Sequence, residues 1–271
     1  MTDKHTLKEE VRDYWNQESC GTFAATSEKF SKEYYNEIET YRYRVEPEIL
    51  SFAKFNESKG KKVLEVGVGA GTDFSQWCKN GAFANGIDLT HEGITHVQTR
   101  LNLFNLSHES LRVGDAENIP FDSNTFDIVY SWGVIHHSPN TEKAFSELVR
   151  VCKPGGAIRF MVYHLDSINT WFFWLKHAVL KGRWNKDRQW ALWHFMESSG
   201  TKAYSHESMK EMVEKYPIKN LVIESPFTYY DDMSRFGFLG KCLNVFNRIF
   251  FSKVKHGWFL KVSMNKIVLQ L

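Results

Sequence analysis

The stretch VLEVGVGAGTDFSQW, residues 63–77, sets an acid, Glu65, beside glycines at every second position: Gly67, Gly69 and Gly71. Glycine lacks the Cβ that would hold a ligand away from the backbone, so this spacing suits a small molecule lying directly on the chain. A dinucleotide loop of the GxGxxG type needs a third glycine where Thr72 stands, and no Walker lysine follows, so a phosphate cradle is disfavoured. Asp88 comes 23 residues after Glu65, a position from which a carboxylate can accept hydrogen bonds from both hydroxyls of a ribose. Further on, SWGVIHHSP brings His136 and His137, and histidine, with an unperturbed pKa near ~6.5, can accept a proton at neutral pH. Adjacent side chains on an extended segment diverge, so one of the two should face a pocket, His137 by preference; the alternative is that both pack or orient. Tyr163 and His164 are further candidates for proton transfer. Two neighbouring histidines without a third ligand make a poor metal site, and no metal is expected.

These residues need a scaffold that brings strand ends together. KKVLEVG reads as a buried strand, with a helix from Thr72; GAFANGIDL is a second strand, followed by a helix through HEGITHVQTRLNLF. LRVGDA is a short third strand and FDIVYSW a fourth, after turn signals in IPFDSNT. TEKAFSELVRVC has helical spacing with Ala144, Leu148 and Val151 on one stripe, KPGG breaks it, and AIRFMVYH is a fifth strand. Strand–helix alternation with short connections predicts an α/β fold: a mostly parallel sheet with helices on both faces and ligands at the carboxyl ends of the strands.

The ordered set from residue 61 to about 164 resembles the class I S-adenosylmethionine-dependent methyltransferases, especially the small-molecule type that includes the ubiquinone/menaquinone C-methyltransferases. That resemblance implies a Rossmann-like, seven-stranded sheet and S-adenosyl-L-methionine as cofactor. It implies that Gly67, Gly69 and Gly71 shape the loop around the methionine moiety, with Glu65 setting the loop. Asp88, with Leu89 beside it, would hold the ribose, Asp115 and Ala116 the adenine, and Ser131 and Trp132 would lie beneath the cofactor. VCKPGGAIRF resembles the family's turn into the fifth strand. Direct methyl displacement needs nucleophile, carbon and sulfur nearly in line, so positioning and water exclusion carry much of the work.

Residues 1–60 form an expected N-terminal helical lid, and residues 61–271 the methyltransferase domain. Tyr34, Ile38 and Tyr41 fall at helical spacing, which packing alone would explain. As a lid, this segment could bring Tyr14, Tyr35, Tyr41 and Arg42 to the cofactor or acceptor. Two helical cap insertions are expected, about 165–216 after the fifth strand and about 225–256 after the sixth. The first contains INTWFFWLKHAVL, DRQWALWHFMESS, Tyr204 as a substrate candidate, and a helix capped by Ser205. These aromatic segments predict a roofed, apolar acceptor pocket, with a membrane-resting surface or a dimer interface as alternatives.

Composition bounds the rest. The 271 residues carry a net charge of +2, yet residues 1–150 hold 16 Lys/Arg and 23 Asp/Glu, and residues 151–271 hold 18 and 9. The basic part would steer an acceptor with an acidic group or a membrane surface, or form only a solvated face. Cys20, Cys78, Cys152 and Cys242 are scattered and read as free thiols. No signal-peptide core and no stretch near the roughly 18 apolar residues of a membrane span are present, so a cytoplasmic protein is expected. Nucleic acid is disfavoured as substrate: GVIHHSP stands where DNA-amino methyltransferases carry an N/D/S-P-P-aromatic run, and the Pro-Cys nucleophile of cytosine-C5 enzymes is missing. The expectation is a monomer or homodimer methylating a small, aromatic or hydrophobic molecule. The alternative is a membrane-surface methyltransferase acting on a lipid or lipid-linked acceptor.

Overall fold

A computed structural model describes residues 4–237, 240, 241, 244, 245, 249 and 255–268. Within the expected second insertion, residues 238, 239, 242, 243, 246–248 and 250–254, Cys242 among them, lie outside the described residues. The first strand, β1 (Lys62–Val66), alternates its side chains between two cores. Leu64 and Val66 join the core on one face, while Val63 joins the core on the other. The same division recurs along β4 (Phe126–Trp132), where Phe126 and Val129 point one way and Ile128, Tyr130 and Trp132 the other.

Helices close both faces. α4 (Thr72–Lys79) and α5 (His91–Phe104) bury Phe74, Trp77, Val97 and Leu101 on one side. α6 (Thr141–Val151) and α9 (His206–Val213) bury Ala144, Phe145, Leu148, Met209 and Val213 on the other. The remaining strands are β2 (Phe83–Asp88), β3 (Ser110–Val113), β5 (Cys152–His164), β6 (Ala203–Tyr204), β7 (Ile218–Glu224) and β8 (Phe259–Lys266). Sheet order is β3-β2-β1-β4-β5-β8-β7, parallel except where β8 pairs antiparallel with β5 and β7. The expected seven-strand path is present, and the two-residue β6 adds an eighth strand beside β5.

The KPGG segment differs from its expected reading as a plain break. The β4–β5 register jumps from Phe126↔Cys152 to Ile128↔Ala157, so Lys153–Gly156 bulges from within β5, with Gly155 at φ +82°. The strand order reverses between β1 and β4, and the carboxyl ends of strands on either side leave the crevice that doubly wound sheets use for ligands.

Over this crevice lie α1 (Lys4–Gln17) and α2 (Lys32–Val45), while α3 (Glu48–Ala53) packs Ile49, Phe52 and Ala53 into the core that holds Val63. From the segment after β5 come α7 (Ile168–His177) and α8 (Arg188–Phe195). The expected Ser205 cap is formed: its side chain accepts from the Ser208 N–H, and the Ser208 side chain answers at the Ser205 N–H. Among the described residues no helix is long and apolar enough to cross a membrane.

Candidate active site

Gly67, Gly69 and Gly71 all adopt positive φ, +81°, +49° and +75°. A Cβ at Gly67 would sit 2.2 Å from Val134 Cγ2, whereas one at Gly69 would meet nothing within 4 Å. The first glycine is therefore required by packing, and the second leaves backbone bare to open space. Gly71 starts α4 as its N-cap. The Gly69 N–H donates to Asp88 Oδ2 at 3.0 Å, while Asp88 Oδ1 accepts from Thr90 N at 2.9 Å and Thr90 Oγ1 at 2.7 Å. One carboxylate thus ties the loop after β1 to the turn after β2.

The loop opens on a cavity of about 280 Å³. Its floor comes from the strand ends: Glu65, Gly67 and Gly69; Asp88 and Leu89; Asp115 and Ala116; Trp132, Gly133 and Val134; Met161 and Tyr163. Its roof comes from Lys8, Val11 and Trp15 of α1, Arg42 of α2, Met196 and Glu197 after α8, and Tyr230, Trp258 and Phe259. Glu65 is buried, accepts from Trp77 Nε1 at 2.8 Å, and is held well above the usual carboxylate range by burial and then by Asp73.

Lys8 reaches from α1 to Asp115 at 2.6 Å and to Glu117 at 3.1 Å, pinning that helix to the loop after β3. Arg42 pairs with Asp73 Oδ2 at 3.1 Å, and Asp73 also accepts from the hydroxyls of Tyr43 and Tyr130. Glu46, just after α2, accepts from Trp132 Nε1 at 2.8 Å and from the Tyr230 hydroxyl at 3.1 Å, and burial raises its pKa. Across the cavity the Tyr163 hydroxyl, 3.0 and 2.9 Å from the two oxygens of Glu197, donates to that carboxylate.

Several expected residues stand elsewhere. Tyr14 is on the outer side of α1; the helix stripe Leu7–Val11–Trp15 faces inward instead, since positions four apart share a face. Tyr35 is fully buried, its hydroxyl donating to the His96 carbonyl at 2.9 Å, and Tyr41 packs edge-on against Phe23. Tyr204 sits in β6 against the core of the opposite face. Ser131 is buried, donating to the Val66 carbonyl at 3.0 Å between strands. Cys20 faces the cavity, but desolvation by the surrounding protein pushes its thiol up to about 12, which keeps it protonated.

The histidine expectation divides. His137 lines the cavity, but burial, and then Lys202, pushes its pKa down to about 3. An imidazole that weakly basic does not take a proton at neutral pH. Its Nδ1 contacts Ser198 Oγ at 2.9 Å and Thr201 Oγ1 at 3.1 Å, which sets the ring's orientation. His136 is buried behind it with neither ring nitrogen hydrogen-bonded, 4.3 Å from the Tyr163 ring centre. His164 turns away, Nδ1 to the Gly257 carbonyl at 3.0 Å, with a pKa pushed down to about 4 by burial.

The carboxylate that sequence reading passed over is Glu197. Its backbone is left-handed at φ +48°, and surrounding protein, with Glu46 adding repulsion, raises its pKa to about 7. Its only sequence signal was an acid inside the aromatic run WALWHFMESS.

The expected steering of an acidic acceptor by the basic part of the chain does not extend into the cavity. Among the described residues its cations are Lys8 and Arg42, both from N-terminal helices, against Glu46, Glu65, Asp73, Asp88, Asp115 and Glu197. Among the described residues no cluster of three or more metal-binding side chains occurs.

Residues 64–160, which carry the glycine loop, Asp88, Asp115 and His137 in the segment after β4, match the methyltransferase domain family. Residues 64–160 are thus similar to the domains of S-adenosylmethionine-dependent methyltransferases. Over 106 residues the chain is 38% identical to phthiotriol/phenolphthiotriol dimycocerosates methyltransferase 1 of Mycobacterium ulcerans (strain Agy99), covering 38% of each chain. Over 120 residues it is 32% identical to phosphatidylethanolamine N-methyltransferase of Cereibacter sphaeroides, covering 40% of this chain and 59% of that one. The matched segment spans less than two-thirds of either relative.

In fold, the chain is similar to a chain of the Haloferax volcanii complex between the Trm112 methyltransferase activator and a methyltransferase. That likeness has a TM-score of 0.64 at 16% identity and covers 96% of this chain and 99% of that one. It is also similar to geranyl diphosphate C-methyltransferase of Streptomyces coelicolor A3(2), with a TM-score of 0.62 at 14% identity, covering 96% and 98%. At these identities the likeness is one of fold.

Proposed function

We propose that the protein transfers a methyl group from S-adenosylmethionine to a small, hydrophobic organic acceptor. One observation carries this reading: the glycine loop and Asp88 line the same cavity as Trp15, Trp132, Tyr163, Trp258 and Phe259. The bare backbone at Gly69 and the adjoining carboxylates fit a nucleoside carrying an amino acid. Glu65, Gly67 and Gly69 would receive the methionine part, Asp88 and Leu89 the ribose, and Asp115 and Ala116 the adenine. Arg42 is the cation within the cavity able to meet the cofactor's carboxylate. When bound, the cofactor supplies a sulfonium-activated methyl group, and the apolar wall would exclude water from it. Calorimetry with S-adenosylhomocysteine tests the cofactor half, and mass spectrometry of a metabolite extract treated with deuterated-methyl cofactor tests transfer. Failure of the wild-type protein to bind the homocysteine product would sink the reading.

A second reading, transfer to a lipid or lipid-linked acceptor at a membrane surface, has its own support. Trp171, Phe172, Leu175, Leu180, Trp184 and Phe195 are exposed on α7, α8 and the segment between them. Lys176, Lys181, Arg183 and Lys186 belong to the same segment. Exposed aromatics among cations suit the headgroup region of an anionic bilayer. Two relatives named above carry lipid substrates in their names, phthiotriol dimycocerosates and phosphatidylethanolamine.

A further inference from the structure

Glu197 is reached only through the long segment after β5, and it stands on the cavity wall with three features that together require explanation. Its left-handed backbone, φ +48°, is one that an L side chain rarely adopts. Both its oxygens are held by one hydroxyl, that of buried Tyr163, whose ring stacks 4.3 Å from Trp258. Its side chain nevertheless keeps 30% of its surface accessible, and it lines the cavity. A carboxylate oriented this closely, yet open to a ligand, is built to meet something.

Resting on the methyltransferase reading, we propose that Glu197 is the catalytic base and that the acceptor presents it with a protic heteroatom, a hydroxyl or an amine N–H. In the step, the acceptor's heteroatom lone pair forms the new bond to the methyl carbon as the carbon–sulfur bond breaks onto sulfur. The X–H proton passes to a Glu197 oxygen. The sulfonium charge and the carboxylate charge disappear together, leaving a neutral thioether, a methyl ether or N-methyl product, and a carboxylic acid.

The surroundings support this choice over histidine. His137 Nε2 lies 3.4 Å from Glu197 Oε2 but is too weakly basic to compete, while the carboxyl's raised pKa, about 7, matches neutral pH. The other titratable groups acting around it are Tyr163, Glu46, Tyr14 and Cys20, and none is a cation. A carboxylate acceptor would face repulsion from Glu197 and Glu46 together, so methyl-ester formation is disfavoured.

The test uses the full chain and Glu197→Gln, which keeps the size and the Tyr163 contact but cannot take the proton. Calorimetry of S-adenosylmethionine in buffers of different ionisation enthalpy near pH ~7 should show release of up to about half a proton. The sulfonium favours the ionised carboxylate, so S-adenosylhomocysteine should release less and Glu197→Gln almost none. With the deuterated-methyl cofactor and a metabolite extract, the labelled product should be an ether or N-methyl compound, formed at least ~100-fold more slowly by Glu197→Gln. Tyr163→Phe should lower the rate less than Glu197→Gln does. Equal proton release by wild type and Glu197→Gln, an ester or carbon-methylated product, or an undiminished Glu197→Gln rate would each overturn the proposal. Absent S-adenosylhomocysteine binding by the wild type would instead overturn the cofactor reading beneath it.

Discussion

The Gly69 N–H donates to Asp88 Oδ2 at 3.0 Å, joining a bare backbone amide on the loop after β1 to the acid that ends β2. Because Thr90 occupies the other oxygen through both its backbone and its hydroxyl, the carboxylate holds two strand ends in one geometry. Losing it removes the proposed ribose contact and the loop's tie at once. Asp88→Ala should weaken S-adenosylhomocysteine binding at least ~30-fold, about 2 kcal/mol, the scale of hydrogen bonds to a charged group. Calorimetry that returned the wild-type affinity would refute the ribose assignment.

Gly67 tests the loop by packing rather than by charge. In Gly67→Ala the new methyl would meet Val134 Cγ2 at 2.2 Å while the backbone stayed at φ +81°. Left-handed strain and overpacking together should cost roughly 3 kcal/mol and lower the Tm by several degrees. Adding Val134→Ala should recover much of the packing part, with Val134 Cβ still 2.9 Å from the new methyl, and leave the backbone part. Thermal melts of the three variants check this, and a single variant as stable as wild type would contradict it.

Acid should destabilise the fold through its neutral histidines. The folded pKa of His137 is pushed down to about 3 and that of His164 to about 4, so between the ordinary histidine value and those values the unfolded chain binds more protons. Stability from these groups is full above about pH 6.5 and falls as pH drops toward about 3. Glu197 acts with opposite sign: its raised pKa makes its contribution present below the unfolded carboxylate value and lost as pH rises toward about 7. His137→Asn should therefore flatten the acid limb of the stability curve, and Glu197→Gln should flatten the slope approaching neutrality. Urea midpoints across pH measure both, and identical curves for His137→Asn and wild type would show the desolvation assignment to be wrong.

Exposed Trp184 and Leu180 carry the membrane reading. The wild type should co-sediment with vesicles containing phosphatidylserine and lose that association as salt rises. Trp184→Ser with Leu180→Ser should reduce binding several-fold without altering S-adenosylhomocysteine affinity, since neither residue lines the cavity. Vesicle binding unchanged by the pair would remove the support this surface lends to a lipid acceptor.

How much was legible beforehand follows from the range of the forces involved. The strand–helix alternation, the glycine loop, Asp88, and the positions of Asp115 and His137 follow from short-range patterning, because backbone preferences and side-chain periodicity act within a few residues. α5 and β4 fall where that patterning puts them, at His91–Phe104 and Phe126–Trp132. Aromatic content alone could not say which face of α1 turns inward, and Trp15 rather than Tyr14 lines the cavity. Nor could it say that His137 would be surrounded so fully that its basicity collapses. Desolvation and the approach of Glu197 to Tyr163 belong to the assembled molecule: they depend on a segment more than thirty residues beyond β5 folding back over the strand ends. Local sequence therefore determined the ground on which a nucleoside can lie, and tertiary packing decided which side chain there can hold a proton.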